Sequence, residues 1–232
     1  MILILFLVHL AFVTFALAGP AKVITECIVP GSIAITFDDG PFQYTSDLVK
    51  WLNENNLKAT FFVCGQNWDS IEKYADVLRE AHRTGHLIGS HTWSHADLTK
   101  LNETQIRSEM SQLEVTLKEI IGVRPRYMRP PYGEVDDRAL RVLSMMDYKV
   151  INWDIDSMDW TSTNIEQQKD IYEKALQNSS TSHHISLQHD PYDSTAHDLG
   201  PWAFKLAVSK GLKPMTVAEC LGEKDREKWY RP

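Results

Sequence analysis

Short runs of β-branched and aromatic residues alternate along the chain with longer stretches in which apolar residues recur at helical spacing. The runs are typical of buried strands, and the longer stretches are typical of amphipathic helices. Leu48, Val49 and Leu52, for example, share one face of a helix predicted over 45–55. The predicted strands cover 33–37, 59–64, 86–89, 126–129, 148–153, 184–188 and 214–217. The predicted helices cover 45–55, 71–83, 102–121, 135–146, 165–177 and 202–210.

The alternation of strand and helix repeats about seven times, which predicts parallel strands joined by crossover helices. Such a number of units suits a barrel that closes, or nearly closes, on itself. A doubly wound open sheet has the same rhythm and is the alternative. Both architectures bind ligands at the carboxyl ends of their strands, so polar residues that follow a strand are the candidates for a site.

Composition and charge narrow the class of protein. Of the 232 residues, 43% are hydrophobic and 24% are charged, which is typical of a globular protein with one sizeable core. No linker rich in Gly, Ser or Pro and no internal repeat divides the sequence, so we predict a single domain. The net charge of −7 argues against nucleic acid or anionic lipid as the main partner, whereas a neutral substrate is compatible with it.

We expect the N-terminus to carry a targeting signal rather than part of the fold. Residues 1–18 form an almost unbroken apolar run that ends in Ala-Leu-Ala before Gly19-Pro20, the A-x-A pattern of a signal-peptide cleavage site. The start of the run has no Lys or Arg, so a signal-anchor helix is the alternative. We predict a cleaved signal peptide over 1–18 and a secreted protein, extracellular or in the cell wall, without stable membrane association after cleavage.

The cysteines and two glycosylation motifs agree with export. Cys27 precedes the first predicted strand and Cys220 lies near the end of the chain, so a bond between them would join the two ends of the domain. On a chain-entropy estimate, closing so long a loop stabilises the fold by about 5 kcal/mol at most. Cys64 lies inside an apolar run and is predicted to be a small buried residue. Asn102 and Asn178 begin sequons and would accept glycans in a eukaryotic host.

Two adjacent carboxylates, Asp38 and Asp39, follow the predicted strand 33–37 in the run Asp-Asp-Gly-Pro. Successive side chains of a strand point to opposite sides, so we expect one carboxylate to face a metal ion and the other to face the substrate water. An ordinary turn is the alternative, because the same residues are common in turns.

His91 and His95 directly follow the predicted strand 86–89. At this spacing we expect both rings on one face of a helical turn, close enough to share an ion. One carboxylate from Asp38 and Asp39 would complete a His, His, Asp set with open positions, which is typical of a catalytic metal site. A pair of histidines that arose by chance is the alternative.

Three further strand ends carry chemically useful side chains. Arg129 precedes a Pro-Pro-Tyr-Gly turn, where it can pin a carboxylate while a peptide N–H of the rigid turn faces an oxyanion. His189 has a pKa range that suits a general acid, and Asp159 could orient it. Each motif has a structural explanation when taken alone. No packing requirement explains why five strand ends carry acids, bases and metal ligands together.

Taken in order, the motifs T-F-D-D-G, H-T-x-x-H, R-x-P-Y, D-x-x-D-W and L-x-H resemble those of the polysaccharide deacetylase (nodulation-deacetylase homology) family of carbohydrate esterases, and are most similar to the fungal-type chitin deacetylases. The resemblance covers residues 27–230. It implies a distorted (β/α)7 barrel, as a single catalytic domain over 27–222 that follows the signal 1–18 and precedes a short tail over 223–232. It also implies a hydrolase that removes N-acetyl groups from N-acetylglucosamine residues of chitin or chitooligosaccharides.

The same resemblance implies roles for individual residues. Asp38 would be the general base tethered by Arg129, and Asp159 would support His189 as the general acid. One divalent metal ion, usually zinc, with cobalt or another ion as alternatives, would bind to Asp39, His91 and His95.

The resemblance also assigns the residues that contact the substrate. The backbone N–H of Tyr132 would face the oxyanion, Trp160 and Leu187 would shape the acetyl pocket, and Trp68 would stack on a sugar ring. Cys27 and Cys220 match a disulfide of such enzymes. The fifth motif departs from the family in having Gln188, where Leu or Ser is commoner.

Other functions on the same scaffold stay open at this point. Deacetylation of peptidoglycan or of acetylxylan would use the same catalytic groups, and an inactive sugar-binding wall protein is an alternative of a different class. The expected partner is a polysaccharide or oligosaccharide of N-acetylglucosamine, with no nucleic acid, and we predict a monomer.

Overall fold

The structure, a computed structural model, describes residues 19–177 and 182–232. Parallel strands form a curled sheet with helices around it, so the chain folds as one domain of the distorted (β/α)7 barrel type, as predicted. The strands are β1 Val23–Ile24, β2 Ser32–Asp38, β3 Thr60–Val63, β4 Leu87–Ser90, β5 Arg124–Pro125, β6 Tyr127–Met128, β7 Lys149–Ile151, β8 Ile155–Asp156, β9 His183–His189, β10 Lys213–Pro214 and β11 Tyr230–Arg231. The helices are α1 Thr45–Glu54, α2 Ala75–Thr84, α3 Glu103–Ile121, α4 Asp137–Met145, α5 Ile165–Ala175, α6 Gly200–Ser209 and α7 Val217–Cys220.

The order of the strands distinguishes a barrel from an open sheet. It runs β1-β7-β6-β4-β3-β2-β9-β8, with β10 beside the start of β2, and all these pairs are parallel. From β2 to β7 each strand pairs with the strand of the same sheet that follows it along the chain. Strand β9 then returns to lie beside β2. A doubly wound sheet would instead reverse its order at a switch point. The chain therefore winds once around a ring.

The ring is incomplete between β7 and β8, which makes the barrel distorted. Within the described residues no ladder joins the edge strands β1 and β8. The segment 152–154 crosses this gap: the Asn152 N–H donates to the Ile24 carbonyl on one side, and the Asp154 N–H donates to the Ile185 carbonyl on the other. The predicted strand 148–153 is consequently two short strands, because the chain leaves one edge of the sheet to reach the other.

The core and the helix ends follow the sequence pattern closely. All seven residues of β2 are buried, and α1 buries Leu48, Val49 and Leu52 as predicted. Helix α3 begins after Asn102, which forms a capping box with Gln105, and it ends at Gly122 in the left-handed conformation. The predicted helix 71–83 starts instead with a 3₁₀ turn over Ile71–Tyr74.

The C-terminal part differs more from the prediction. Of the predicted strand 214–217 only the start is extended, because Thr216 caps α7 in a capping box with Glu219. The residues predicted as a short tail, 223–232, pack onto the domain: Trp229 and Tyr230 belong to the main hydrophobic core, and β11 pairs antiparallel with β5. Strands of two residues, such as β5 and β11, are too short to leave a periodic pattern in the sequence.

The structure contains a disulfide between Cys27 and Cys220, with their Cα atoms 5.0 Å apart, while Cys64 is free and buried. In the described part of the chain, no helix combines the length and the apolar character that crossing a membrane requires. The predicted signal peptide over 1–18 and the predicted glycan acceptor Asn178 lie outside the described residues.

Candidate active site

A cavity of about 320 Å³ opens at the carboxyl ends of the barrel strands and collects most of the predicted site residues. We call it the central cavity. Its walls are formed by Asp38, Asp39, His91, His95, Pro130, Tyr132, Gly133, Trp153, Asp156, Trp160, Leu187, His189 and Tyr192. Arg129 and Asp159 stand directly behind Asp38 and His189, and Trp68 lies in a neighbouring groove.

One corner of the central cavity is suited to a metal ion. Asp39, His91 and His95 each offer one ligand atom, and these three atoms lie within 4.8 Å of one another. Asp39 Oδ1 is 3.2 Å from His95 Nε2 and 3.5 Å from His91 Nε2, yet this buried oxygen accepts no hydrogen bond from the described residues. A carboxylate and two imidazole nitrogens with room for further ligands fit zinc or a similar divalent ion.

The orientation of His91 agrees with a role as a ligand. Its Nδ1 lies 2.7 Å from the carbonyl oxygen of Arg129, so Nδ1–H donates there and the lone pair of Nε2 faces Asp39. Burial lowers the pKa of His91 to about 3, although the charge of Asp39 acts in the opposite direction. The ring is therefore neutral, as a metal ligand must be.

The backbone conformation that brings these ligands together differs from the one that the sequence predicts. Asp39, Thr92 and His95 adopt left-handed conformations, with φ of 73°, 70° and 56°. The segment 91–95 is not a helical turn, so the reason given for the proximity of the two histidines was wrong, although their ring centroids are 5.0 Å apart. Left-handed backbone at residues other than glycine costs free energy and clusters at functional sites.

The two adjacent carboxylates also share the cavity, against the expectation that they would face opposite sides. His91 Nε2 lies 3.9 Å from Asp38 Oδ2 and 3.5 Å from Asp39 Oδ1. Asp38 ends β2 with its side chain turned inward, and the left-handed φ of Asp39 turns the next side chain back to the same side. The carboxylates differ in their partners rather than in the side they face.

Asp38 is held by Arg129. The Arg129 Nη1 donates to Asp38 Oδ1 over 2.9 Å and also to the hydroxyl of Thr36, while its Nη2 donates to the carbonyl of Asn152 over 3.1 Å. Both side chains are almost fully buried. Burial raises the pKa of Asp38, and the Arg129 guanidinium partly offsets this by favouring the charged form.

Two aromatic rings fix the plane of the Arg129 guanidinium. Its central carbon lies 4.5 Å from the ring centroid of Phe62 and 5.4 Å from that of Trp153. Gly89 is required beside Phe62, because a Cβ at this position would come 2.6 Å from the ring. The guanidinium therefore packs against both rings, which helps to hold the group that binds Asp38.

His189 is bound twice to one carboxylate. Its Nδ1 is 2.7 Å from Asp159 Oδ1, and its backbone N–H donates to Asp159 Oδ2 over 2.8 Å. Thr195 also donates to Asp159 Oδ2. Burial lowers the pKa of His189, but the hydrogen bond and charge of Asp159, with the charges of Asp38 and Asp39, outweigh it and raise the pKa to about 9. The ring is therefore protonated at neutral pH.

Aromatic and apolar side chains form the rim. Tyr132 is 66% exposed, has a φ of 62°, and places its ring edge-on to His95 at 4.7 Å. Trp160 is also exposed, and its Nε1 donates to Asp156 over 3.2 Å, while Leu187 is buried deeper in the cavity. These walls give the cavity an apolar side that faces its charged groups.

The remaining predicted residue, Trp68, lines a second, open groove of about 620 Å³. The groove shares Trp160 and Tyr192 with the central cavity. The ring of Tyr192 lies 5.6 Å from Trp68 and 5.8 Å from His189, so it forms the wall between the two spaces.

Sequence reasoning missed three residues at the site. Trp153 and Tyr192 line the central cavity but belong to no motif; the signals were a tryptophan at the end of a predicted strand and a tyrosine three positions after His189. Asp190 is buried beside Gly40 and accepts a hydrogen bond from the Thr45 hydroxyl, and burial raises its pKa to about 7. The sequence signal for Asp190 was its position directly after His189.

The chain is similar to known proteins both in sequence and in structure. The family model for polysaccharide deacetylases matches residues 27–151. A chitin deacetylase of Pestalotiopsis sp. is 45% identical over 90% of this chain and 70% of its own length. A probable peptidoglycan-N-acetylglucosamine deacetylase of Arthroderma benhamiae is 41% identical over 90% of this chain, which spans only 48% of that relative. The solved chitin deacetylase of Colletotrichum lindemuthianum superposes with a TM-score of 0.86 at 35% identity, over 92% of this chain and 97% of that one.

Proposed function

The chain belongs to the polysaccharide deacetylase family and is a deacetylase hydrolase, and from this premise we propose that it removes N-acetyl groups from the N-acetylglucosamine residues of chitin or chitooligosaccharides. The observation that carries the proposal is the grouping around one cavity of three metal-ligand atoms, a carboxylate paired with a buried arginine, and an imidazole paired with a buried carboxylate. Amide hydrolysis needs these three functions: an electrophilic centre, a base and an acid.

Asp39, His91 and His95 would hold one divalent ion, zinc by preference, with cobalt or another divalent ion as alternatives. When bound, the ion would polarise the amide carbonyl and lower the pKa of a water molecule. The unpaired oxygen of Asp39 and the neutral ring of His91 support this assignment.

Asp38 would act as the general base. It accepts a proton from the water that attacks the acetyl carbon, and the proton moves to the carboxylate as the new C–O bond forms. Arg129 keeps Asp38 in place with a 2.9 Å hydrogen bond and favours its ionised form, while burial increases its basicity. The two opposing effects give a carboxylate that is charged and yet able to take up a proton.

His189 would act as the general acid. Its imidazolium donates a proton to the departing nitrogen as the C–N bond breaks, which yields acetate and a glucosamine residue. Asp159 holds the ring through Nδ1, so that Nε2 is the atom left to donate. The backbone N–H of Tyr132 would donate to the oxyanion of the tetrahedral intermediate.

Chitin is the substrate that the observations favour. Relatives named chitin deacetylases match most of this chain, both in sequence and in structure. Trp160 and Leu187 provide apolar walls for an acetyl group, and the exposed ring of Trp68 in the adjoining groove would stack on a further sugar. The enzyme would be a secreted monomer of the extracellular space or cell wall, glycosylated at Asn102 and Asn178 in a eukaryotic host.

Peptidoglycan is the second candidate, since a relative at 41% identity is named as a probable peptidoglycan deacetylase. The test is acetate release from chitin oligomers, peptidoglycan and acetylxylan, each with and without a chelator and after reloading with zinc or cobalt. We expect the fastest release from chitin oligomers, its loss with chelator and its return with metal. Faster release from peptidoglycan or acetylxylan would reassign the substrate, and no release from any of the three would contradict the proposed deacetylation.

A further inference from the structure

Asn152 connects two parts of the site that are distant in sequence. Its side-chain Nδ2 donates to the carbonyl of Gly133 over 3.0 Å. Its own backbone carbonyl accepts from Arg129 Nη2 over 3.1 Å. One residue therefore contacts both the turn that carries Tyr132 and the side chain that holds Asp38.

The turn over Pro131–Gly133 is anchored at its start by the buried Pro131, and the Gly133 N–H closes it by donating to the Pro130 carbonyl over 3.0 Å. Tyr132 and Gly133 are both in the left-handed region, with φ of 62° and 71°, and the ring of Tyr132 is largely exposed. On one side the turn rests on Trp153, since a Cβ on Gly133 would come 2.8 Å from that ring. A strained and exposed turn keeps its conformation only when its surroundings impose it.

The neighbour of Asn152 reinforces the same connection. Trp153 lies over the Arg129 guanidinium and also forms the surface against which Gly133 packs. Asn152 itself is anchored, because its N–H donates to Ile24 at the edge of β1 with an N···O distance of 2.7 Å. The segment that crosses the gap in the barrel thus supports the turn by a hydrogen bond and by packing.

From these contacts we infer that Asn152 is a positioning residue, which sets the Tyr132 backbone N–H relative to Asp38 through its hydrogen bond to the Gly133 carbonyl. The inference rests on the proposed function, in which that N–H faces the oxyanion. Asn152 is not among the residues that line the central cavity. It would act on the transition state only, because the oxyanion forms only there.

Asn152→Ala removes the Nδ2 donor and leaves the backbone carbonyl that receives Arg129. We expect kcat on chitin oligomers to fall about 10- to 100-fold with KM nearly unchanged. A small displacement of an oxyanion donor weakens stabilisation of the transition state but leaves binding of the substrate in its ground state unchanged. Asn152→Asp has the same shape but sets a carboxylate against the Gly133 carbonyl, so its kcat should fall at least as far. Metal content should match the wild type in both variants.

Asn55→Ala is the matched control, since Asn55 Nδ2 also donates to a backbone carbonyl, that of Trp51, but does so far from the cavity at the end of α1. Its kcat should equal that of the wild type. An active wild type whose kcat is unchanged by Asn152→Ala, in protein shown to be folded by its unfolding temperature, would overturn the positioning role. A rise in KM without a fall in kcat would also overturn it. A wild type without activity would contradict the proposed function instead.

Discussion

His189 and Asp159 are joined through both oxygens of the Asp159 carboxylate: one lies 2.7 Å from the imidazole Nδ1, and the other accepts from the His189 backbone N–H over 2.8 Å. The carboxylate therefore fixes the direction of the ring as well as its charge. Because Asp159 is almost fully buried, its interaction with the imidazolium is little screened by water.

This pair predicts the basic limb of the pH profile. The pKa of His189 is raised to about 9, so activity should fall as pH rises through that value and the imidazolium loses its proton. Asp159→Asn removes the charge that raises the pKa, so the fall should move to lower pH. His189→Ala should reduce turnover by roughly 10²–10⁴-fold while metal content is retained.

The measurement is acetate release against pH for the wild type and the variants. Asp154→Asn provides a control, because Asp154 also pairs with a histidine, His184, outside the central cavity. The Asp154→Asn profile should overlay that of the wild type. A basic limb that stays in place in Asp159→Asn would contradict the role assigned to the pair.

Asp38 and Asp39 provide a second prediction, since they are chemically alike and adjacent but have different partners. Asp39→Asn removes a charged ligand and should weaken metal binding. Asp38→Asn should retain the metal and reduce turnover by roughly 10²–10⁴-fold, the usual scale for the loss of a general base. Metal content and acetate release are measured together, with the fully exposed Asp76 mutated to Asn as the control that changes neither. Near-full activity in Asp38→Asn would show that the mechanism is wrong even if the metal site is right.

Much of this site could be predicted because a parallel barrel brings the carboxyl ends of its strands to one face. Asp38, His91, Arg129 and His189 each end or directly follow a strand that the sequence predicted. Strand ends that are far apart in sequence therefore had to meet once the alternation of strand and helix was recognised.

What periodicity could not supply were conformations and contacts that depend on closure of the barrel. The left-handed backbone at Asp39 and His95 is not marked by glycine, and the modest preference of Asp and His for this conformation is too weak to locate it. The link from Asn152 to Gly133 exists only because the chain crosses from β7 to β8 at that point. The packing of Trp229 likewise requires the C-terminal residues to return beside β5.

A third prediction separates two functions of Asn102. Its Oδ1 caps α3 by accepting from the Gln105 N–H over 3.0 Å, whereas a glycan would be attached to the Nδ2. Asn102→Asp keeps the cap and removes the glycan acceptor, and Thr104→Ala removes the sequon without touching the cap. Asn102→Ala removes both and should cost about 1 kcal/mol of folding stability.

The experiment uses protein expressed in a eukaryotic host, with intact mass and denaturant unfolding measured for each variant. All three variants should lose the mass of one glycan, and Asn102→Ala should lose the helix cap in addition. A wild-type protein without a glycan at Asn102 would contradict the glycosylation prediction and leave the cap as the role of this residue.

The fourth prediction concerns the Cys27–Cys220 disulfide, which closes a loop with a sequence separation of 193 and joins the two ends of the domain. Its loss should lower the free energy of unfolding by up to about 5 kcal/mol, since a long loop restricts the unfolded chain strongly. Guanidinium unfolding with and without reductant measures this. Wild type and Cys64→Ala should both be destabilised by reductant, whereas the double variant Cys27→Ala, Cys220→Ala should be insensitive to it.

Cys64 is buried and has no partner cysteine in the described chain, so peptide mapping should find it as a free thiol. Finding Cys64 in a disulfide would contradict this assignment, because its thiol would first have to leave the core beside His91.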